Sequence, residues 1–329
     1  MDYIYYTFLA GWCADAVGAR LEFRKIKFTD IEVRYAMHFV GEKTNGICDG
    51  QFTDDSEMEI ALLQGLINGK NDEYFPVEKI AEQYIEWRNS EPFDIGQTTM
   101  LALAGAKSAD DMATNAFEYN EDSESNGSLM RCIPISIFTL YKPNETILEL
   151  AAIDSSLTHY SPLVHLITGI YCCIISNILS LRLVGENINI NNLLADIFGL
   201  CAKNDTVKEW FNIGLGLHSL EDYNAIINEG HVKHAFIFVI YFLKNIDKYT
   251  YEKAIMEVLK CGGDTDTNAK IVGNLFGAYY GNCIPEYMIK PVLDFDCTLE
   301  KNGFFKRPEK FGIKYGIELI KQIDGIYKK

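Results

Sequence analysis

The amino-acid sequence predicts an all-α fold, a compact orthogonal multi-helix single domain spanning residues 1–329. Three observations lead there. Apolar residues recur at helical spacing along most of the chain, strand-like alternation is scarce, and the breaks between helical stretches are short clusters of Gly, Pro, Asn and Ser. No break is long enough for a linker, and no fixed-period repeat or low-complexity tract occurs.

In chain order, a first helix carries Gly11 to Gly18 and ends near Glu22. The next pattern follows Thr53-Asp54-Asp55 and places Met58, Ala61, Leu62, Gly65 and Leu66 on one side. Glu78 to Trp87 places Ile80, Ala81, Tyr84, Ile85 and Trp87 together. Leu163 to Leu183 is interrupted by His165, Ser176, Asn177, Ser180 and Arg182, so it reads as a buried helix rather than a membrane span. Val232 to Leu243 is nearly continuous apolar sequence. A helix starting near Thr267 carries Ala269, Gly273, Gly277 and Gly281 at every fourth position, a stripe small enough for a neighbouring helix to approach closely. A C-terminal extension, residues 290–329, ends in an amphipathic helix with Ile313, Ile317 and Ile320 on one face and Leu319 and Ile323 beside it. The breaks fall at 89–92, 119–125, 142–144, 185–192 and 229–230.

Composition narrows the function. With 329 residues, 48% of them hydrophobic, the chain can bury a large core. A net charge of −16 argues against nucleic acid as partner, because phosphate backbones are held by an excess of Lys and Arg. Nine cysteines without a Cys-x-x-Cys pair point to reduced thiols. The N-terminal stretch lacks a preceding basic region and no apolar run is read as reaching membrane-spanning length, so an intracellular monomer without a membrane partner is expected.

The chemistry lies in two acidic clusters. Gly262-Gly263-Asp264-Thr265-Asp266-Thr267 sets carboxylates and hydroxyls directly before a long apolar segment, which suits a hard cation such as Mg²⁺, Mn²⁺ or Ca²⁺. Helix capping would need one such residue, and this cluster exceeds that need. An EF-hand fails because Ala269 and Leu275 stand where the turn glycine and the final Glu belong. The second cluster, Phe52-Thr53-Asp54-Asp55-Ser56, also precedes a helical pattern. A closed site needs about six oxygen ligands, more than either cluster offers, so the two are expected to be partners in a binuclear metal site between helix N-termini. A dinucleotide fingerprint fails at Gly214 to Ser219, and a P-loop fails at Gly65 to Asn71. No nucleophile elbow or zinc-protease spacing occurs.

Together these clusters resemble the paired metal motifs of the ADP-ribosylglycohydrolases, the group containing dinitrogenase reductase-activating glycohydrolase. Further segments match in order: Gly11-Trp12-Cys13-Ala14-Asp15-Ala16-Val17-Gly18 with Glu22-Phe23, Asp94 to Thr99, Asn126 to Pro134, and Thr158 to Pro162. The resemblance runs from about Thr7 to Pro285. It implies an all-α fold, two Mg²⁺ (or Mn²⁺) ions, and hydrolysis of the bond between ADP-ribose and a modified Arg or Ser of a protein. The implied metal ligands are Thr53, Asp54, Asp55, Asp264, Asp266 and Thr267. Asp54 or Asp55 would also serve as base, and Glu22 would gate or polarise the site, with a surface carboxylate ending the first helix as its alternative. Gly96, Gln97, Ser123, Asn126, Gly127, Ser128 and His159 would contact the nucleotide. Their alternatives are an ordinary helix start, an Asn-Gly turn and a satisfied core histidine. Arg131 reads equally as a phosphate contact or a buried ion pair, and Asp15 as a residue orienting a ligand.

Two departures stand out. Ala14 replaces the glycine usual before Asp15, and Glu121 to Ser125 is acidic where relatives place small neutral residues, which opposes pyrophosphate binding. Two alternatives remain open: a non-catalytic ADP-ribose-binding or crystallin-like relative, and a metal-dependent phosphohydrolase.

Overall fold

The computed structural model describes residues 2–41 and 46–327, and among them every regular element is helical. The helices are α1 (Asp2–Gly18), α2 (Asp30–Met37), α3 (Asp54–Asn68), α4 (Val77–Asn89), α5 (Gln97–Ala102), α6 (Ala109–Tyr119), α7 (Ile133–Phe138) and α8 (Asn144–Ser156), then α9 (Pro162–Leu183), α10 (Ile190–Cys201), α11 (Asp205–Gly216), α12 (Val232–Lys244), α13 (Tyr251–Lys260), α14 (Thr265–Tyr280), α15 (Glu286–Asp294) and α16 (Ile313–Tyr327). Short 3-10 turns lie at Ile246–Lys248, Glu300–Phe305 and Glu309–Phe311. The all-α expectation holds. All nine cysteines are free thiols.

Two compact units, interleaved in sequence, make up the chain. The first comprises Thr53–Cys173 and the residues from Asp296 onward; the second comprises Asp2–Phe52 and Ile174–Phe295. The boundary falls inside α9. Residues 290–294 complete α15 of the second unit, and the rest of the C-terminal segment belongs to the first.

In the second unit α1 packs along α14, as the small-residue stripe requires. A Cβ added to Gly277 would sit 2.2 Å from the Tyr6 carbonyl oxygen, and one added to Gly273 would sit 2.7 Å from that of Ala10. The same Cβ on Gly273 would lie 3.0 Å from the Ala14 methyl, so Ala14 is accommodated because its neighbour across the crossing has no side chain. Tyr251 Oη and Asn274 Nδ2 donate to the carbonyls of Ala10 and Thr7, at 2.7 and 2.8 Å. Helices α12 and α13 complete the packing around α14.

In the first unit α3 is packed by α4, α7 and α16. Burial in α3 goes beyond the predicted apolar side: Glu57 and Glu59 are buried as well. The C-terminal α16 buries Ile313, Leu319, Ile320 and Ile323, with Ile317 half-buried.

Two other differences are local. Helix α10 begins at Ile190, inside the expected break, because Asn189 caps it by accepting from the Asn192 amide at 3.1 Å. By length and composition α9 does reach membrane-spanning size, contrary to expectation; 72% of its most apolar window is buried inside the protein.

Candidate active site

The second unit supplies one acidic helix start. Gly262 and Gly263 both adopt positive φ, 68° and 75°. Cβ atoms there would meet the carbonyl oxygens of Ile26 and Ala225 at 2.3 and 2.1 Å, so both conformation and space demand glycine. The chain therefore turns sharply into α14, which begins at Thr265, two residues earlier than expected. Asp264 occupies the N-cap position without a side-chain capping bond, and Asp266 and Thr267 lie in the first turn. Capping does not account for Asp264.

Thr265 Oγ1 donates to the Gly18 carbonyl at 2.8 Å, which ties this turn to the end of α1. A Cβ on Gly18 would lie 2.4 Å from the Asp266 Cα. The chain leaves α1 through a turn in which the Glu22 amide donates to the Gly18 carbonyl at 3.2 Å. Glu22, half-buried, thereby brings a carboxylate oxygen within 4.8 Å of one on Asp266. Phe23 follows at φ 62°, a strained conformation for an aromatic residue that turns the chain away directly after Glu22.

The first unit supplies the other start. Thr53 sits at the N-cap of α3, again without a side-chain capping bond, and Asp54 and Asp55 open the helix. Thr53, Asp54 and Asp55 are 1%, 6% and 2% exposed. Asp54 Oδ2 accepts from the Gly96 amide at 3.4 Å, so the start of α3 meets the start of α5, where Gly96 is the N-cap and Gln97 the first residue. Both are exposed, and the space beside Gly96 is open.

From α5 a polar chain runs to the loop before α7. Thr98 Oγ1 bonds Ser123 Oγ at 2.7 Å and accepts from Ser125 Oγ at 3.1 Å. Ser125 Oγ bonds His159 Nε2 at 2.8 Å, while Thr158 Oγ1 bonds His159 Nδ1 at 2.8 Å. Asn120 Nδ2 donates to the carbonyls of Thr98 and Thr158, at 2.8 and 2.9 Å, pinning both segments. Ser128 is fully buried, with its hydroxyl bonded to Thr168 and Ser155, and Asn126 is 6% exposed.

His159 is completely buried with both ring nitrogens hydrogen-bonded, as the core-histidine alternative requires. Burial holds its pKa well below the ordinary value, and Arg131 and His165 push the same way, so the ring is neutral. It underlies Gly127: a Cβ there would lie 3.2 Å from His159 Cε1. Arg131 resolves as the buried ion pair. Its Nε donates to Asp154 Oδ2 at 3.3 Å and its Nη1 to the Gly127 carbonyl at 3.3 Å, while Tyr84 Oη donates to Asp154 Oδ1 at 2.7 Å. Burial opposes the Arg131 charge, but Asp154 and Tyr84 raise its pKa above the ordinary value. Both therefore position the 126–128 loop from within the core.

Each start offers oxygen donors of the kind a hard cation takes: Thr53, Asp54 and Asp55 in the first unit, Asp266 and Thr267 in the second, all of them buried. Sequence reasoning missed the residues that hold these starts: Glu57, Trp87, Ser90 and Arg307 behind α3, and Tyr84 and Asp154 behind the loop. Their partners lie far apart in sequence, and no local spacing signals them.

Comparison with known proteins bears on the whole chain. Residues 2–309 match the family model described as ADP-ribosylglycohydrolase. A protein of Acanthamoeba polyphaga mimivirus named as a candidate ADP-ribosyl glycohydrolase is 32% identical over 307 residues, covering 88% of this chain and 90% of that one. An ADP-ribosyl-dinitrogen reductase glycohydrolase of Rhodospirillum rubrum is 26% identical, covering 84% of each chain. The ADP-ribosylarginine hydrolase Tri1 of Pseudomonas putida is 25% identical, covering 81% of this chain and 67% of that one. A solved structure of an ADP-ribosylglycohydrolase-related protein complex shares the fold at TM-score 0.70, with 18% identity and 98% of each chain covered. From the family model and the mimivirus relative together, the chain belongs to the ADP-ribosylglycohydrolase family.

Proposed function

We propose that the protein is a divalent-cation-dependent hydrolase that releases ADP-ribose from a modified protein side chain, with ADP-ribosylarginine as substrate. The observation that carries this reading is the coincidence of family membership with two acidic helix starts whose ligand-type oxygens are almost entirely buried. The relative named for ADP-ribosylarginine favours the N-glycosidic linkage. Serine-linked ADP-ribose is the competing substrate.

In this proposal Thr53, Asp54, Asp55, Asp264, Asp266 and Thr267 hold two Mg²⁺ or Mn²⁺ ions between them. Bound there, the cations would orient the ribose hydroxyls and the attacking water and lower the pKa of that water. Asp54 or Asp55 accepts the water proton as the oxygen bonds to C1″ of the distal ribose and the C1″–N bond breaks. The substrate guanidinium leaves as neutral guanidine and takes up the water proton from that Asp, so charge balances and the carboxylate is restored. Glu22, beside Asp266 in its own unit, polarises the reacting end. Gly96, Gln97, Ser123, Asn126, Gly127 and Ser128 form the nucleotide-side segment, with the exposed Gln97 offering its backbone to the phosphates. Free cysteines support an intracellular setting.

The deciding experiment incubates the protein with arginine-linked and serine-linked ADP-ribosyl proteins in parallel, with Mg²⁺ or with chelator. Cation-dependent release of free ADP-ribose from the arginine-linked substrate is expected. Binding of ADP-ribose without release from either would favour the non-catalytic reading, and release of phosphate alone would favour a phosphohydrolase.

A further inference from the structure

We infer that Arg307 is a positioning residue for the first turn of α3, acting through Glu57; the inference rests on Asp54 and Asp55 being metal ligands. That turn is closed where the Glu57 amide donates to the Thr53 carbonyl at 3.2 Å. The same residue sends its carboxylate inward. Arg307 Nε lies 2.9 Å from Glu57 Oε1 and 3.0 Å from Oε2, and Trp87 Nε1 donates to Oε2 at 2.7 Å.

The remaining guanidinium nitrogens are also committed: Nη1 donates to the Ser90 carbonyl and Nη2 to Ser90 Oγ, each at 2.7 Å. Arg307 and Glu57 are 2% and 3% exposed. The backbone turn that carries Thr53, Asp54 and Asp55 is thus anchored from behind by a residue 250 positions later, in the loop between the last two 3-10 turns.

This geometry does more than add cohesion. A buried ion pair gains little net stability over an apolar replacement, so its value lies in what it fixes. Asp54, Asp55 and Glu57 are three acids in one helical turn. Tying Glu57 to Arg307 and Trp87 keeps that carboxylate out of the competition for a cation, while the planar guanidinium fixes the turn against Ser90 through three donor nitrogens, Nε, Nη1 and Nη2. Outer partners of this kind cost about 10- to 100-fold in metal affinity when removed.

The test is calorimetric titration of Mn²⁺ into the full-length protein and its variants, with melting temperatures recorded alongside. Arg307→Lys cannot reproduce the planar donor set and is expected to bind Mn²⁺ about 10- to 100-fold more weakly. Ser90→Ala removes the acceptor of Arg307 Nη2 and is expected to lose about threefold in affinity. Thr139→Val breaks the buried bond to the Ile135 carbonyl in the same unit and serves as the stability control. It is expected to melt lower with Mn²⁺ affinity within about twofold of the parent. Arg307→Lys and Ser90→Ala that melt lower yet bind Mn²⁺ as the parent does would overturn the inference. If Arg307→Lys fails to fold, Ser90→Ala decides alone. A parent that takes up no Mn²⁺ overturns the metal reading itself, and this inference with it, which separates the two failures.

Discussion

At the start of α14 the backbone is fixed by absent side chains: Gly18, Gly262 and Gly263 each face atoms that leave no room for a Cβ. By contrast, the start of α3 is fixed by large, polar side chains, with Glu57 gripped by Arg307 and Trp87. Both devices serve the same need, holding buried carboxylates at a helix N-terminus against their mutual repulsion. Steric fixation tolerates no added atom, whereas fixation by an ion pair tolerates no lost partner. The two halves should therefore fail differently.

The largest effect is expected at the carboxylates. Asp54→Ala or Asp55→Ala should lower kcat by about 10²- to 10⁴-fold with the fold intact. The double replacement should cost little more than the worse single one, since the pair acts as a unit. Steady-state kinetics on the modified protein would show this, and independent multiplicative losses would argue against it.

Next in size, Gly277→Ala drives a methyl group against the Tyr6 carbonyl where α1 crosses α14, and should destabilise the protein by about 1–3 kcal/mol in denaturant unfolding. Trp87→Phe, on the α3 side, leaves a charge-assisted acceptor with one partner fewer and should cost about 1–3 kcal/mol. The comparison sharpens in reverse: enlarging Ala14 to Val should also destabilise, because Gly273 leaves room for a methyl only.

Stability should also fall on acidification. Burial depresses the pKa values of His159, His165 and His234 in the folded state. Below about pH 6.5 the unfolded chain takes up protons that the folded chain refuses, so unfolding becomes easier as pH drops, by up to about 1.4 kcal/mol per pH unit for each histidine. His159→Gln should flatten the slope between neutral pH and pH 5; an unchanged slope would show that His159 titrates alike in both states.

The smallest effect concerns the acidic loop. Glu124, half-buried two residues before Asn126, should oppose pyrophosphate binding by about 1 kcal/mol or less. Titrating ADP-ribose into Glu124→Gln should show tighter binding that weakens with added salt, and equal affinities at all salts would remove the loop from the phosphate site.

Much of this molecule was legible in its residues, and the reasons are physical. Helical periodicity is local, so α4 and α12 emerged within a few residues of their observed ends. Small-residue spacing reports close helix approach, so a tight crossing on α14 followed from Gly273 and Gly277, while that α1 makes it came only from the structure. Glycine pairs encode φ, yet the sequence did not reveal that Gly262 and Gly263 start α14 two residues early. The Glu57 and Arg307 pair stayed hidden because Glu57 reads as one more acid on a capped helix and its partner lies 250 residues away. His159 stayed ambiguous for a related reason. Whether a histidine faces ligand or core depends on Ser125 and Thr158, whose hydroxyls bond it only in the folded chain.

The central claim is that both acidic helix starts contribute ligands to bound cations. Counting Mn²⁺ ions per chain in the parent, in Asp266→Asn and in Asp55→Asn tests it most directly. Two ions in the parent, with at least one lost in each variant, is the predicted result. A count unchanged by either replacement would contradict it.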